Sequence, residues 1–334
     1  MSRGRSVAFF SPLVAGVAAI AVAYAATDAH QPRVLENLYG VKALPDGNAW
    51  RVGAFGVISH TADGGSTWQN QPSRTDEPLF SVDFADAKNG WAVGRGGLIL
   101  HTDDGGNTWK PQKSGSKNHL FAVDVIGPKE AWVVGDWGTI LYTTDGGETW
   151  QTRSLEEDVI LNDMSWVDPQ HGWLAGEVGA IYRTDDGGAH WVKQESGSEK
   201  SLFGIHFSDL EHGWAVGLDG VFLRTVDGGN TWEVLRGNAT VGSLEAMGFL
   251  EALKNAGLYS VDVKGSLGVA AGDLGMILVS RDGGATWKQE EVPEEWRLRW
   301  LRSLSLGSGT NGVLVGSNGL TVPVVDGVVR YQGR

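Results

Sequence analysis

Thr102-Asp103-Asp104-Gly105-Gly106-Asn107-Thr108-Trp109 is the stretch whose reading decides the fold. The pattern Ser/Thr-x-Asp-Gly-Gly-x-Thr-Trp returns at 61–68, 143–150, 184–191, 225–232 and 280–287, with His190 replacing the second Thr once. Its carboxylates are Asp63, Asp104, Asp145, Asp186, Asp227 and Asp282, the first five spaced 41 residues apart. Each copy has the chemistry of a tight hairpin turn. An Asp carboxylate accepts backbone N–H groups just ahead of it, and the Gly pair adopts positive φ without a Cβ clash. The Thr hydroxyl adds a local bond, and the Trp opens the return strand with a large ring to bury. The spaced oxygen ligands and distant bidentate Glu of a calcium loop are missing, which leaves these acids a structural role.

Outward from the turn, one unit is read seven times. Its opening Leu recurs at Leu38, Leu79, Leu120, Leu161, Leu202, Leu258 and Leu301. The Gly closing its second strand recurs at Gly53, Gly94, Gly135, Gly176, Gly217, Gly272 and Gly316. In the second copy, strands are expected at 79–84, 90–94 and 98–102, with a fourth beginning at 108–110. Four short strands at a period near 40 predict a blade, and seven blades predict an all-β, seven-bladed β-propeller of four-stranded antiparallel sheets filling 38–334. The last copy lacks a clean acidic turn, yet Asp326 follows Gly316 by the interval that separates Asp104 from Gly94, and Tyr331 stands where Trp109 would. Residues 320–332 therefore read as a decayed seventh hairpin. The ring is expected to close either by a strand from Val34-Leu35 or by packing alone.

Two segments depart from the repeat. Residues 1–25 read as a signal peptide: Arg3 and Arg5, an apolar run over 13–23, and the small-x-small site Ala23-Tyr24-Ala25. An uncleaved anchor over 7–26 is the alternative; residues 26–37 form a short N-terminal segment. The second departure is a step of 56 residues from Leu202 to Leu258. Within it Ser243 is a candidate N-cap, Lys254 sits in the last turn and Gly257 lies just beyond, so a short helix over 243–255 is predicted, either packed on the wall or forming a partner-binding lip.

Composition narrows function. The chain has 334 residues, 49 Gly, 15 Trp and no Cys, so neither disulfides nor thiol ligands contribute. A net charge of −13 argues against nucleic-acid binding, which needs a basic face. No His cluster has metal-ligand spacing, every Gly pair is explained by a hairpin, and no acidic pair stands apart from the turns. A sialidase-like site would need an Arg cluster, a Tyr nucleophile and acidic partners; Tyr142 and Tyr182 occupy ordinary repeat positions. No cofactor, metal or catalytic residue is expected.

The tryptophans that fit no repeat position are more informative. Six belong to the acidic turns, five share one second-strand position (Trp50, Trp91, Trp132, Trp173, Trp214), and Trp166 replaces Phe84 in a first strand. Trp137, Trp296 and Trp300 remain, and strand alternation assigns all three to the face opposite the acidic turns. With Arg297, Arg299 and Arg302 they make the candidate partner-binding set, because interfaces favour Trp and Arg. Arg302 takes the position of Phe80, Phe121, Phe203 and Tyr259, near the channel mouth. Glu290, Glu291, Glu294 and Glu295 precede the arginines and offer the plainer account that they simply neutralise them.

The run Asn89-Gly90-Trp91-Ala92-Val93-Gly94 through Leu98-Ile99-Leu100-His101-Thr102 to Asp104-Gly105-Gly106-Asn107-Thr108-Trp109 resembles the photosystem II stability and assembly factor family of cyanobacteria and chloroplasts. The resemblance covers about 38–331. It implies an exported, non-enzymatic propeller of the BNR/Asp-box class that binds newly made membrane subunits. It further implies a periplasmic location, or the thylakoid lumen in a photosynthetic host, with membrane contact only through the partner or a retained leader. A protein partner is expected, an integral membrane protein or its exported loops, and the chain is expected to be a monomer. An Arg-rich patch is implied for photosynthetic members; Arg297, Arg299 and Arg302 are the counterparts here, without residue equivalence. Because relatives occur in bacteria with no photosystem, the resemblance does not establish photosynthesis. The competing reading is a carbohydrate-binding or sialidase-like glycoside-hydrolase propeller, with Trp137, Trp296 and Trp300 stacking on sugars.

Overall fold

The computed structural model describes residues 36–235 and 256–331. The predicted helix over 243–255, the leader and Val34-Leu35 lie outside them. Seven four-stranded sheets follow one another, each an antiparallel meander whose strands pair in chain order. The chain is therefore a seven-bladed β-propeller with strand-only blades, and its helical turns among the described residues are three-residue 3-10 turns.

First strands begin at the seven predicted leucines, among them Leu38–Ala43, Leu79–Phe84 and Leu301–Leu306. Second strands, such as Gly90–Gly94, are buried throughout, except for Glu130 at the start of Glu130–Gly135. A strand buried on both faces reads as a continuous apolar run, which is what the repeat displays. The outermost strands are short and largely exposed, as in Lys110–Lys113 and Glu233–Val234.

The five second-strand tryptophans pack blades one to five each against the blade that follows. Trp50 stacks on Phe84 of blade two at 3.6 Å, and Phe84 meets Trp109 edge-on at 5.8 Å. Trp173, Phe207 and Trp232 repeat the arrangement between blades four and five, and Trp132, Trp166 and Trp191 between blades three and four. Trp50, Trp173 and Trp214 also donate their indole N–H to the glycine carbonyls of Gly105, Gly228 and Gly284 in the following blade. Offset stacks and edge contacts of this kind add roughly 0.5–1.5 kcal/mol to area burial.

Near the axis, side chains of one first strand accept backbone N–H groups of the next. Ser81 Oγ accepts from Val123 and Asp83 Oδ2 from Val125; Asp163 and Ser165 accept from Ile205 and Phe207; Ser260 and Asp262 accept from Leu304 and Leu306. Blade seven bonds to blade one in the same way, Ser303 Oγ accepting from Val41 at 3.2 Å and Ser305 Oγ from Ala43 at 3.1 Å. Its own four strands are consecutive, ending in Thr321–Val325 and Val328–Val329. Blade seven therefore packs directly on blade one; the alternative closure, a strand from Val34-Leu35, falls outside the described residues. The decayed hairpin is present as a two-residue turn at Asp326 (φ 53°) and Gly327 (φ 69°), with Tyr331 part-buried against the core of the last two blades.

Candidate functional site

Two faces follow from the meander. The acidic turns touch the turns between first and second strands, as in Gly105 N–H to Lys88 O and Gly146 N–H to Lys129 O. On the opposite face, the turns between second and third strands meet the blade-to-blade loops, as in Asp136 N–H to His119 O and Gly275 N–H to Arg299 O.

The acidic turns are saturated internally. Asp104 Oδ1 accepts the Thr102 hydroxyl (2.9 Å) and the Thr108 N–H (2.8 Å), while Oδ2 accepts the Thr108 hydroxyl (2.6 Å). His190 serves through Nδ1 where Thr is replaced, 2.6 Å from Asp186 Oδ2. Bonds from Thr61, Thr149 and His190 hold Asp63, Asp145 and Asp186 down at about 2, and Asp282 reaches about 2 although burial opposes it.

The mouth of the channel on the loop face is built by the second residue of each first strand. In order around the ring these are Tyr39, Phe80, Phe121, Asn162, Phe203, Tyr259 and Arg302. Their rings run close, Tyr39 to Phe80 at 6.1 Å, Phe80 to Phe121 at 5.6 Å and Phe203 to Tyr259 at 5.4 Å. Trp300 extends the arc by lying parallel to Tyr39, 6.1 Å away at 7°. The residues one step further in are Gly, Ala or Ser in every blade but the fourth, which has Asp163, because blades converge there: a Cβ on Gly40 would sit 2.9 Å from Phe80 O. Together these residues surround a cavity of about 380 Å³.

Arg302 stands in that wall as predicted. Its guanidinium carbon lies 4.8 Å from the Tyr259 ring centroid and 5.8 Å from that of Phe203. Burial lowers its pKa, opposed by Tyr259, Asp163 and Asp273. Burial raises Asp163 to about 7 despite the Ile205 N–H and Arg302.

The remaining sequence candidates scatter. Trp137 is 63 % exposed at the tip of its turn in blade three, whereas the other four belong to the stretch joining blades six and seven. Arg297 is exposed and pairs with Glu294 at 3.1 Å, the neutralisation weighed above. Arg299 and Trp300 are half-buried. Trp296 is only 8 % exposed and packs edge-on against Tyr331 at 5.2 Å, within the core shared by blades six and seven. Its indole fills the space beside the truncated seventh hairpin and offers no open surface.

Sequence reasoning missed two features. The first is a set of tips on the loop face. The third residue of the recurring Gly-x-x-Gly turn is Phe55, Gly96, Trp137, Val178, Asp219, Leu274 or Asn318, all left-handed with φ between 51° and 67°. Phe55, Val178 and Leu274 are 70, 69 and 51 % exposed. Apolar L-residues, above all a β-branched one, seldom adopt this conformation, and here they do so while facing solvent. Aligning the Gly-x-x-Gly turns would have found them.

The second is a set of carboxylates inside the channel, which corrects the expectation that no acidic pair stands apart from the turns. Lys42 Nζ lies 2.5 Å from Asp83 Oδ1, and Asp124, His206 and Asp262 line the same cavity of about 430 Å³ toward the acidic-turn face. Burial and the charge of Asp83 raise Asp124 to about 7. Burial works to lower Lys42 and is outweighed by Asp83, Asp124 and Asp262. Asp83, Asp124 and Asp262 each already accept a backbone N–H from the adjoining blade, so these acids serve the seams. Among the described residues no group of three His, Asp or Glu could hold a metal ion.

The sequence model described as Photosynthesis system II assembly factor YCF48 matches residues 29–120, 148–202 and 195–299, more than half of the chain. The chain belongs to that family. The BNR/Asp-box repeat model also matches 141–152. A structure of YCF48 bound to a D1 peptide superposes with a TM-score of 0.71 at 21 % identity, covering 87 % of this chain and 94 % of that one. YCF48 from Cyanidioschyzon merolae gives 0.69 at 18 %, over 87 % and 96 %. The GH74 xyloglucanase from Xanthomonas campestris gives 0.66 at 14 %, over 90 % of this chain but 53 % of its own. At these identities the likenesses establish the propeller alone. No curated protein matches the chain in sequence.

Proposed function

We propose that this YCF48-family propeller is an exported, non-enzymatic factor that binds a protein partner on its loop face and assists assembly of a membrane protein complex. The periplasm is its compartment, or the thylakoid lumen if the host is photosynthetic. The observation that carries the reading is the display of Phe55, Trp137, Val178 and Leu274 as exposed tips on one face. Exposed apolar groups gathered on one side of a soluble domain mark interaction surfaces, and residues held in a disfavoured backbone region point to selection for something other than stability. Family membership and the D1 peptide bound by one YCF48 support a polypeptide as the occupant.

The test uses the same backbone property. Asn tolerates left-handed φ far better than Val, Leu, Phe or Trp. The combined variant Phe55→Asn, Trp137→Asn, Val178→Asn and Leu274→Asn should melt no lower than the parent, yet lose capture of its partner from solubilised membranes. Undiminished capture ends the proposal.

The carbohydrate reading keeps one observation in its favour, the exposed Trp137 ring, which could stack on a sugar. Against it, the seam bonds occupy the channel carboxylates that a retaining or inverting hydrolase would need. Glycan hits without capture of any membrane protein would reverse the preference.

A further inference from the structure

Arg302 is a cation without a counter-ion. Among the described residues it has no hydrogen bond and no ion pair; Asp163 and Asp273 act on it only from beyond ion-pair distance. Asp273 already accepts the Tyr259 hydroxyl at 2.9 Å, and Asp163 the Ile205 N–H at 2.9 Å. The faces of Tyr259 and Phe203 compensate part of the desolvation by cation–π attraction. They leave the guanidinium with five donors and no acceptor. Arg302 is half-buried and its nitrogens open onto the mouth rather than being sealed in the wall, so a cation held here lacks an anionic partner on the protein side. In the six other blades this position is aromatic or Asn, so the fold itself does not require a cation.

In front of this cation lies the 380 Å³ mouth cavity, walled by Phe203 and Tyr259 on one side and by Phe80 and Phe121 on the other. Its size falls at the lower end of the ~300–1,000 Å³ range of small-ligand pockets. Guanidinium groups pair bidentately with carboxylates, and an aromatic lining takes up an apolar body. We propose that the mouth is a binding pocket for a carboxylate that carries an apolar, preferably aromatic, body, with Arg302 meeting the charge and the aromatic arc meeting the body. This rests on the loop face being the binding face, as proposed above. Two sources share the chemistry: the C-terminal residue of a partner chain, and a free organic acid.

Calorimetric titration of the whole chain separates them. The probes are 3-phenylpropanoate, the peptide N-acetyl-Ala-Ala-Phe with a free terminus, and the same peptide amidated. The free-terminus peptide should bind roughly ten- to hundredfold tighter than its amide, the loss expected for a charge-assisted bond. Arg302→Gln should abolish that preference and Arg302→Lys restore part of it, with melting temperatures confirming that both variants are folded. Tight binding of 3-phenylpropanoate with neither peptide bound would keep the pocket and assign it to free acids. Equal affinity of acid and amide peptides without 3-phenylpropanoate binding, an unchanged preference in Arg302→Gln, or no binding by any probe would overturn the inference. Partner capture by the parent chain then tells the two proposals apart: capture retained while the parent shows no acid preference removes the pocket alone.

Discussion

Each acidic-turn Asp is a small closed network, and its contribution can be measured singly. In Asp104→Ala the Thr108 N–H and the hydroxyls of Thr102 and Thr108 lose their acceptor. The turn lies at the surface, so water replaces some of these bonds, and a loss of about 1–2 kcal/mol in urea unfolding is expected. No loss would mean that the Gly pair alone holds the turn. These residues were legible in the sequence because their bonds span four positions at most. Trp296 was not, because the ring that encloses it, Tyr331, comes from the last hairpin. Phe55, Val178 and Leu274 escaped notice for a different reason: an apolar residue beside a strand reads as strand, and nothing in its identity announces a positive φ. The pairing state of Arg302 was equally invisible, since it depends on where Asp163 and Asp273 direct their oxygens, although its place at the mouth followed from the repeat.

At the scale of the strand, the indoles in the second strands serve two roles that can be separated. Trp173 stacks on Phe207 at 3.7 Å and donates to Gly228 O at 3.0 Å, whereas the Trp132 N–H is buried with no partner despite a comparable stack on Trp166. Replacement by Phe removes a satisfied donor in one case and an unsatisfied donor in the other. Trp173→Phe should therefore destabilise more than Trp132→Phe by about 1 kcal/mol, read from thermal or denaturant unfolding. Equal losses would show that the stack alone matters. Strand order, blade boundaries and the register of the last hairpin were all readable because each blade is a local meander whose period survives in the sequence. The seam bonds were not, because Ser and Asp near the axis look like any polar residue alternating along a strand. That is why the channel carboxylates came as a correction.

For the whole molecule, the two classes of carboxylate work in opposite directions as pH changes. Asp124 and Asp163, raised to about 7, take up protons in the folded chain between about 7 and 4, where the unfolded chain does not. Stability should rise as pH falls through that window. Asp63, Asp145, Asp186 and Asp282, held near 2, reverse the sign below about 4: the unfolded chain protonates first and stability falls toward pH 2. Melting temperature against pH should therefore peak on the acid side of neutrality, and the double variant Asp124→Asn, Asp163→Asn should flatten the limb above the peak. A parent profile already flat from pH 4 to 8 would contradict the assignment. The junction between blades seven and one has a consequence of another kind. Because Ser303 and Ser305 grip Val41 and Ala43 with the bonds used at interior seams, no blade is marked as the clasp among the described residues. A lineage built this way can gain or lose a whole repeat by in-frame duplication or deletion without having to re-invent a specialised fastening, so its circumference is free to evolve one sector at a time.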